Sequence, residues 1–491
     1  MCYPHSYYTG MSNLGFHNLF NRISSFHGLR AARFFLERGN MLYSPDMDNP
    51  RKAKLFSYAG PSLKGFDAVF FSVSFELDYI NLIKMLMISS IPPLCNERQQ
   101  DSRRPGAVVI TGGIAVTANP EIISAFSDIV FIGDMEENLE KILYILVQKI
   151  FVTGRKIPGR THKNDIPMSY RLFEELSAVD GVYIAGNSGN AGKTSAPKRS
   201  ILKDIAQPAH SVVLTGGTEF SNMFLIEIVR GCRGTCLFCA TRCATGPVRQ
   251  VRKKVVLSII AKARPETGRV GLIGPVLTDN DELVEIVEAI NDMGFRAAFS
   301  SLRADEYSDT LAGLLVKNRQ NTVTFAPETG SFRLRKKIGK NLTDEDLLKA
   351  VSLSVEHGIK NIRFYIMYGL PGEKIEDIKA TADLVKRTAG LLKKPGCTLH
   401  LSVNPFVPKK GTPFGAWKVS PESYYINMRE ILTCELKGTE RVSLKFDPLR
   451  NFYIHSLLSI GTRETGLKLY NCLIKKSLKS FGRYAREVLL E

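Results

Sequence analysis

The chain has 491 residues, of which 44% are apolar and 23% charged, ordinary proportions for a globular protein with more than one core. No run reaches the ~18 apolar residues of a membrane span, and the opening Met1-Cys2-Tyr3-Pro4-His5 lacks the basic and apolar regions of a secretory signal, so the expected location is the cytoplasm, away from membranes. With 66 Lys and Arg against 48 Asp and Glu, the formal charge is +18, which either favours anionic partners such as RNA or phosphorylated cofactors, or reflects a basic proteome.

Residues 1–185 read as an α/β domain. Strand-like runs at Ala68–Ser74, Ala107–Thr111 and Ile129–Ile132 end in small or turn-forming residues, and helical patterns follow at Asp78–Met87 and Glu136–Gln148. Such alternation predicts a Rossmann-like, doubly wound parallel sheet, with functional loops at Ser72-Val73-Ser74, Gly112-Gly113 and Gly133-Asp134. Residues 186–204 read as a linker rich in small polar residues. Its Gly192-Lys193-Thr194 invites a phosphate-loop reading, but the position needing the first glycine is Asn187 and Pro197 interrupts the helix that should follow.

Residues 205–400 alternate again. Strands are expected at Met223–Ile228, Val270–Ile273, Ala297–Ser301, Thr322–Ala326, Asn361–Met367 and Thr398–Val403, and helices at Asp281–Met293, Ser308–Lys317, Asp344–His357 and Ile375–Arg387. This repetition suggests a partial (β/α) barrel. The basic run Arg249–Lys254 reads as a solvated helix face. Residues 401–491 form a mixed, largely helical C-terminal extension that opens with the Pro- and Gly-rich stretch Asn404–Gly415.

Chemistry concentrates in one loop. Gly231-Cys232-Arg233-Gly234-Thr235-Cys236-Leu237-Phe238-Cys239 follows a strand, and its C-x-x-x-C-x-x-C spacing allows three thiolates each to hold one iron of a cubane while the fourth iron stays open. A zinc site is the alternative, with Cys243 as the fourth thiolate; otherwise Cys243 is a spare thiol nearby. Two further segments stand out: Phe325-Ala326-Pro327-Glu328-Thr329-Gly330-Ser331 with Leu334-Arg335, and Phe364–Tyr368 running into Gly369-Leu370-Pro371-Gly372-Glu373.

On these three blocks, in this order and spacing, the sequence resembles the radical S-adenosylmethionine (radical SAM) superfamily. The resemblance implies a 4Fe-4S cluster on Cys232, Cys236 and Cys239, and S-adenosylmethionine bound to the open iron and cleaved to a 5′-deoxyadenosyl radical. Phe238 then packs near the adenine. The other implied cofactor contacts are Gly274, Ser301, Arg303, Glu328, Tyr368 and Gly369, each at or just beyond a strand end. Gly274-Pro275 departs from the family's usual Gly-Gly-Glu, Arg303 could serve only as a salt-bridging residue, and Glu328 could merely cap the next helix. A one-electron donor such as a flavodoxin or ferredoxin is implied as partner. Radical hydrogen abstraction leaves no acid–base pair to read, so no catalytic residue is assigned.

Residues 1–185 resemble the cobalamin-binding-type domain that precedes the radical core in one branch of the superfamily, and Tyr7–Gly15 resembles an uncharacterised subfamily of that architecture. None of the eight histidines lies in the D-x-H-x-x-G pattern of a lower cobalt ligand, so cobalamin is a possibility without that support. The leading expectation is radical SAM chemistry on an unknown substrate. The alternatives are cobalamin-dependent methyl transfer, modification of tRNA or other RNA, and a non-catalytic, metal-bearing RNA-binding protein. The methylthiolation variant requires three more cysteines before the core, where only Cys2 and Cys95 stand.

Overall fold

The computed structural model describes residues 1–48, 61–100, 107–148, 168–184 and 198–490. The bulk of the expected linker, with the glycine–lysine–threonine match, lies outside the described residues. The chain divides into two compact units. The first comprises Met1–Lys203, Ala209–Ser221 and Gly461–Phe481, and the second Asp204–Pro208, Asn222–Ile460 and Gly482–Glu491.

Seven strands form the sheet of the first unit: β1 (Cys2–Tyr3), β2 (Phe34–Glu37), β3 (Met41–Tyr43), β4 (Ala68–Ser72), β5 (Val108–Gly112), β6 (Ile129–Phe131) and β7 (Val182–Ile184). Their spatial order is β3-β2-β1-β4-β5-β6-β7, parallel from β2 through β6, with antiparallel strands at both edges. The inner strands are apolar throughout because helices cover both faces of a parallel sheet. Asp78–Ile88 contributes Tyr79, Leu82, Ile83 and Leu86 to the core, and Glu136–Val147 contributes Leu139, Ile142, Leu143 and Leu146, the stripe that a helical period generates. The direction of winding reverses between β1 and β4, so the crevice beyond their carboxyl ends is the position where doubly wound sheets bind ligands. Two-residue β1 is central in this order, although it is too short for periodicity to reveal.

In the second unit, β8 (Phe224–Glu227), β11 (Arg269–Ile273) and β12 (Arg296–Phe299) form one parallel arc, and β13 (Thr322–Glu328), β14 (Asn361–Tyr368), β15 (Thr398–Pro405) and β16 (Val442–Phe446) form another. A short antiparallel pair, β9 (Val229–Arg230) and β10 (Arg249–Gln250), extends from the first. Helices Leu283–Asp292, Asp309–Lys317, Asp344–Glu356 and Ile375–Leu391 connect successive strands, as βαβ units require. The arcs do not join strand to strand. Side-chain amides take the place of a neighbour along β12: Asn318 Oδ1 accepts the Ala297 N–H at 2.6 Å, and Gln320 Oε1 accepts that of Phe299 at 3.0 Å. A cleft of about 350 Å³ opens there, lined by residues that include Arg269, Arg319 and Gln320. The fold is thus a partial barrel, and its strand ends carry the cysteine loop.

Candidate cluster and cofactor site

The cysteine loop leaves the barrel after β9 through Gly231, whose φ is +83°. A Cβ there would stand 2.2 Å from the Pro247 carbonyl oxygen, so only glycine allows the loop to turn so close to the returning chain. From this point the loop is held on two sides. The Arg233 N–H donates to Asp279 Oδ2 at 2.9 Å and its guanidinium pairs with Asp281 at 2.8 Å. On the other side the Thr235 hydroxyl donates to the Gly339 carbonyl at 2.9 Å, and the Leu237 N–H donates to Ile338 O at 2.9 Å. Gly339 has φ +75°, and a Cβ there would meet the Thr235 carbonyl at 2.5 Å.

Phe238 packs on an apolar cluster of Leu334, Ile338, Leu370 and Phe406, with Met367 and Phe414 beside it. This brings the residue before the third cysteine together with the turn after β14. The Pro- and Gly-rich stretch after β15 reaches the same place, where the Phe414 N–H donates to Leu237 O.

Cys232, Cys236 and Cys239 are all partly buried. The Gly234 N–H donates to Cys232 Sγ at 3.2 Å, and a Cβ on Gly234 would be crowded by the sulfurs of both Cys232 and Cys236. Burial pushes the Cys232 thiol up, the Gly234 N–H lowers it, Asp279 and Cys239 raise it, and Arg303 lowers it. Burial likewise raises Cys236; Lys340 opposes that shift, while Cys239, Glu328 and Cys232 add to it. Among the described residues no group of three or more His, Cys, Asp or Glu side chains converges at metal-binding range, so the thiols share a loop without meeting at a point. The donor set nonetheless fits an iron–sulfur cluster: three soft thiol ligands on a glycine-bearing loop, with backbone N–H groups available to the sulfurs. Cys243 lies on the following helix, Ala240–Thr245.

The other expected contacts fall at or just after strand ends. Gly274 follows β11, and a Cβ there would be 3.0 Å from that of Val229. Ser301 follows β12 and accepts the Leu277 N–H through its carbonyl at 2.9 Å. Arg303 is held by Asp305, with Nε to Oδ1 at 3.0 Å, and by Glu306 at 3.6 Å. Glu328 sits in a register shift of β13 with φ +66°, and its Oε1 pairs with Lys340 Nζ at 2.9 Å. The Tyr368 ring is buried against Tyr425 and Phe446, and its hydroxyl accepts from Arg429 Nε at 2.6 Å, so the ring serves packing. The Gly369 N–H donates to Glu373 Oε2 at 2.6 Å. Asp279 and Lys340 stand outside the segments that the sequence singles out, whereas Glu373 ends the Gly369–Glu373 segment without a role assigned to it. Asp279 stands in the loop beyond β11 and Lys340 just beyond the short helix Phe332–Lys337; their chain positions alone carry no signal.

This combination of a partial parallel barrel, a three-cysteine loop at its strand ends and a doubly wound sheet before it defines a class. Residues 226–385 match the model of the radical SAM superfamily, and residues 15–184 match that of the N-terminal domain of radical SAM proteins. The chain belongs to the radical SAM superfamily and is an enzyme of that superfamily. An uncharacterised protein of Methanocaldococcus jannaschii is 28% identical over 415 residues, covering 84% of this chain and 78% of that protein. Threonylcarbamoyladenosine tRNA methylthiotransferase MtaB of Thermotoga maritima is 23% identical over 54% of this chain and 60% of its own length. Among solved structures, the radical SAM methyltransferase TsrM of Kitasatospora setae, with cobalamin and a 4Fe-4S cluster bound, superposes with a TM-score of 0.58 at 13% identity, covering 99% of this chain and 98% of that one. The cobalamin-dependent radical enzyme OxsB superposes with a TM-score of 0.52 at 15% identity, covering 88% of this chain and 55% of that one. These two superpositions define a shared fold.

Proposed function

We propose that the chain holds one 4Fe-4S cluster on Cys232, Cys236 and Cys239 and uses it to cleave S-adenosylmethionine reductively, modifying a substrate of unassigned class. The observation that carries this reading is the thiol loop fastened at the barrel's strand ends, with Phe238 against the turn after β14. When bound, the cluster supplies one electron that breaks a carbon–sulfur bond of S-adenosylmethionine, giving methionine and a 5′-deoxyadenosyl radical. The protein's part is to orient and enclose. Asp279 and Gly339 fix the loop, Phe238 offers a flat apolar face for the adenine, and Gly274, Ser301, Arg303, Glu328, Tyr368 and Gly369 are proposed to line the remainder of the cofactor site, Tyr368 through its backbone. A flavodoxin or ferredoxin is the proposed electron donor, and the cytoplasm the proposed location.

A one-cluster enzyme is favoured over the methylthiolation form. Cys2 is buried in β1, its thiol pushed up to about 12 by burial, and Cys95 is buried with its sulfur on the Ser124 carbonyl and the Arg463 guanidinium. Both are occupied as core residues. Cobalamin-dependent methyl transfer is the second reading, favoured by the reversal of winding between β1 and β4. It would proceed without the nearby His17 as a cobalt ligand: Nε2 of that ring bonds Met11 O at 2.9 Å, and Nδ1 accepts the Val212 N–H at 3.2 Å.

The test is anaerobic reconstitution, iron analysis and a dithionite-driven cleavage assay beside Cys236→Ala. About four irons per chain and cysteine-dependent 5′-deoxyadenosine are expected. Zinc without cleavage would overturn the reading, and iron near eight per chain would restore the two-cluster form. Stoichiometric cobalamin retention with methyl transfer would establish the second reading.

A further inference from the structure

A closed (β/α) barrel fills its interior with apolar side chains. The arc β13–β16 does the opposite. On β14, Ile362, Phe364 and Ile366 are at most 2% exposed and share a face with Tyr368, which packs on Tyr425 of the helix Glu422–Glu435. The alternate residues point away from the helices, into the barrel, and here they are polar: Arg363 is exposed and Tyr365 is 41% exposed. Register extends this inner face across the sheet. Arg363 stands level with His400 and Ser443, and Tyr365 with Ser402 and Lys445. The His400 ring ties the rows together, its Nδ1 bonding Ser443 Oγ at 2.6 Å and its Nε2 bonding Thr398 Oγ1 at 2.9 Å. Lys445 is exposed like Arg363, and among the described residues neither has an ion pair or a side-chain hydrogen bond. Glu328 is the only acidic residue in the four strands, and it is paired with Lys340 at 2.9 Å. At the other flank Thr324, level with Arg363, lines the cleft of about 350 Å³ together with Arg269 and Arg319.

We propose that the substrate is a small anionic molecule, an organic acid or a phosphate ester, whose acidic group is held by Arg363 and Lys445 on the inner face of the arc while Tyr365 packs against its body. This rests on the radical reading above and names the class of molecule that reading leaves open. Two strands and two residues separate the cations, about 12 Å between Cα atoms by strand geometry, so two long side chains can converge on one ligand between them. Arginine offers a planar fork that matches a carboxylate or phosphate, and lysine adds a mobile point charge. With the one carboxylate of the four strands already paired, an incoming anion meets no like charge from them. The exposed Tyr365 ring supplies a flat apolar surface with a polar tip. The setting inside a partial barrel, beside a cleft of about 350 Å³, suits a small molecule rather than a polymer.

The experiment is calorimetric binding to the reconstituted full chain, with the cluster oxidised, in the presence and absence of saturating S-adenosylmethionine. The probes are phenyl phosphate, phenylacetate and the neutral benzyl alcohol. At least one of the two acids should bind about tenfold more tightly than the alcohol with S-adenosylmethionine present, and which acid does so separates a phosphate ester from an organic acid. Arg363→Gln and Lys445→Gln should each weaken that acid about tenfold, and Arg363→Lys should recover part of the loss. Tyr365→Ala should weaken acid and alcohol alike. If the wild type holds its cluster and cleaves S-adenosylmethionine, yet binds the acids no better than the alcohol or is unaffected by both glutamine variants, the proposal falls and the functional reading stands. Acid binding seen only without S-adenosylmethionine would assign these cations to the cofactor's own carboxylate and overturn the proposal as well. So would a single-stranded RNA oligonucleotide that binds and is lost in Lys445→Gln while neither acid binds. A wild type with neither cluster nor cleavage would overturn the functional reading, and the anion's place as substrate with it.

Discussion

Glu373 closes the turn after β14 from beneath. Its Oε2 accepts from the Gly369 N–H at 2.6 Å and from the Tyr424 hydroxyl at 2.8 Å, while Oε1 is buried without a partner among the described residues. Burial pushes its carboxyl up from 4.5 to about 7, with the Gly369 N–H and the Tyr424 hydroxyl opposing. The folded state therefore holds a proton that the unfolded chain has released between those values. Stability from this group is fully present below about pH 4.5 and is lost as the pH rises through about 7. Glu373→Gln should flatten that dependence, gaining on wild type by on the order of 2–3 kcal/mol between pH 4.5 and pH 8. Urea titrations at the two pH values measure it, and an equal difference at both would refute the assignment. Asp78, pushed up to about 7 by burial and by Glu76, slopes the same way, so the variant reduces the dependence without abolishing it. The sequence shows Glu373 at the end of a distinctive segment but not its burial, which is what sets its carboxyl apart. The three cysteines were legible because their spacing is local. Asp279 lies 46 residues from the loop residue it holds, and Gly339, beside Lys340, lies 104 from its own.

At the scale of elements, βαβ alternation was readable because strands buried on both faces are continuous apolar runs and their helices carry long stripes. The strand expected at Asn361–Met367 forms as Asn361–Tyr368, and the helix expected at Asp344–His357 forms as Asp344–Glu356, with Thr343 as its capping residue. Short elements escaped: β1 and the β2–β3 hairpin are too brief for a period to register, and β16, whose Val442, Leu444 and Phe446 alternate with polar residues, lies within the extension that reads as mixed and largely helical. The basic run Arg249–Lys254 follows its reading only at its end, where Lys253 and Lys254 open the helix Lys253–Ala263. Arg249 and Gln250 form β10 against β9, and the Arg249 guanidinium is turned onto the Thr245 carbonyl, which buries a residue that composition would leave in water. The break between β12 and β13 is the least legible feature, since it depends on a side chain acting as a strand. Gln320 accepts the Phe299 N–H and donates to Thr322 O at 3.1 Å. Gln320→Ala would strand a partly buried N–H and should cost about 1–3 kcal/mol. Gln320→Glu, whose second carboxylate oxygen would face the Phe299 and Thr322 carbonyls that the amide now donates to, should cost at least as much as the alanine. Chemical denaturation with an unchanged m-value would measure both, and an alanine variant as stable as wild type would show that water replaces the amide.

For the molecule as a whole, chain order and spatial unit part company. A reading by composition finds no seam inside the C-terminal extension, yet Gly461–Phe481 belongs to the first unit and most of the remainder to the second. The contacts are specific. The Asn119 amide donates to Gly461 O at 2.9 Å, Arg463 donates to Ser124 O at 2.6 Å, and Tyr470 packs edge-on against Phe126 with ring centroids 6.1 Å apart. The closest approach is at Gly466, on the helix Arg463–Ile474, where a Cβ would stand 2.6 Å from the Ile122 carbonyl oxygen and 3.2 Å from the Phe126 ring. A side chain cannot enter without moving backbone, so overpacking by about 1–3 kcal/mol is the expected cost of Gly466→Leu. If this distant segment completes the first unit, hydrogen exchange in the variant should accelerate selectively at residues 119–126, hundreds of residues earlier in the chain, while β13–β15 keep their protection. Acceleration confined to residues 461–481 would mean that the segment decorates the unit without stabilising it.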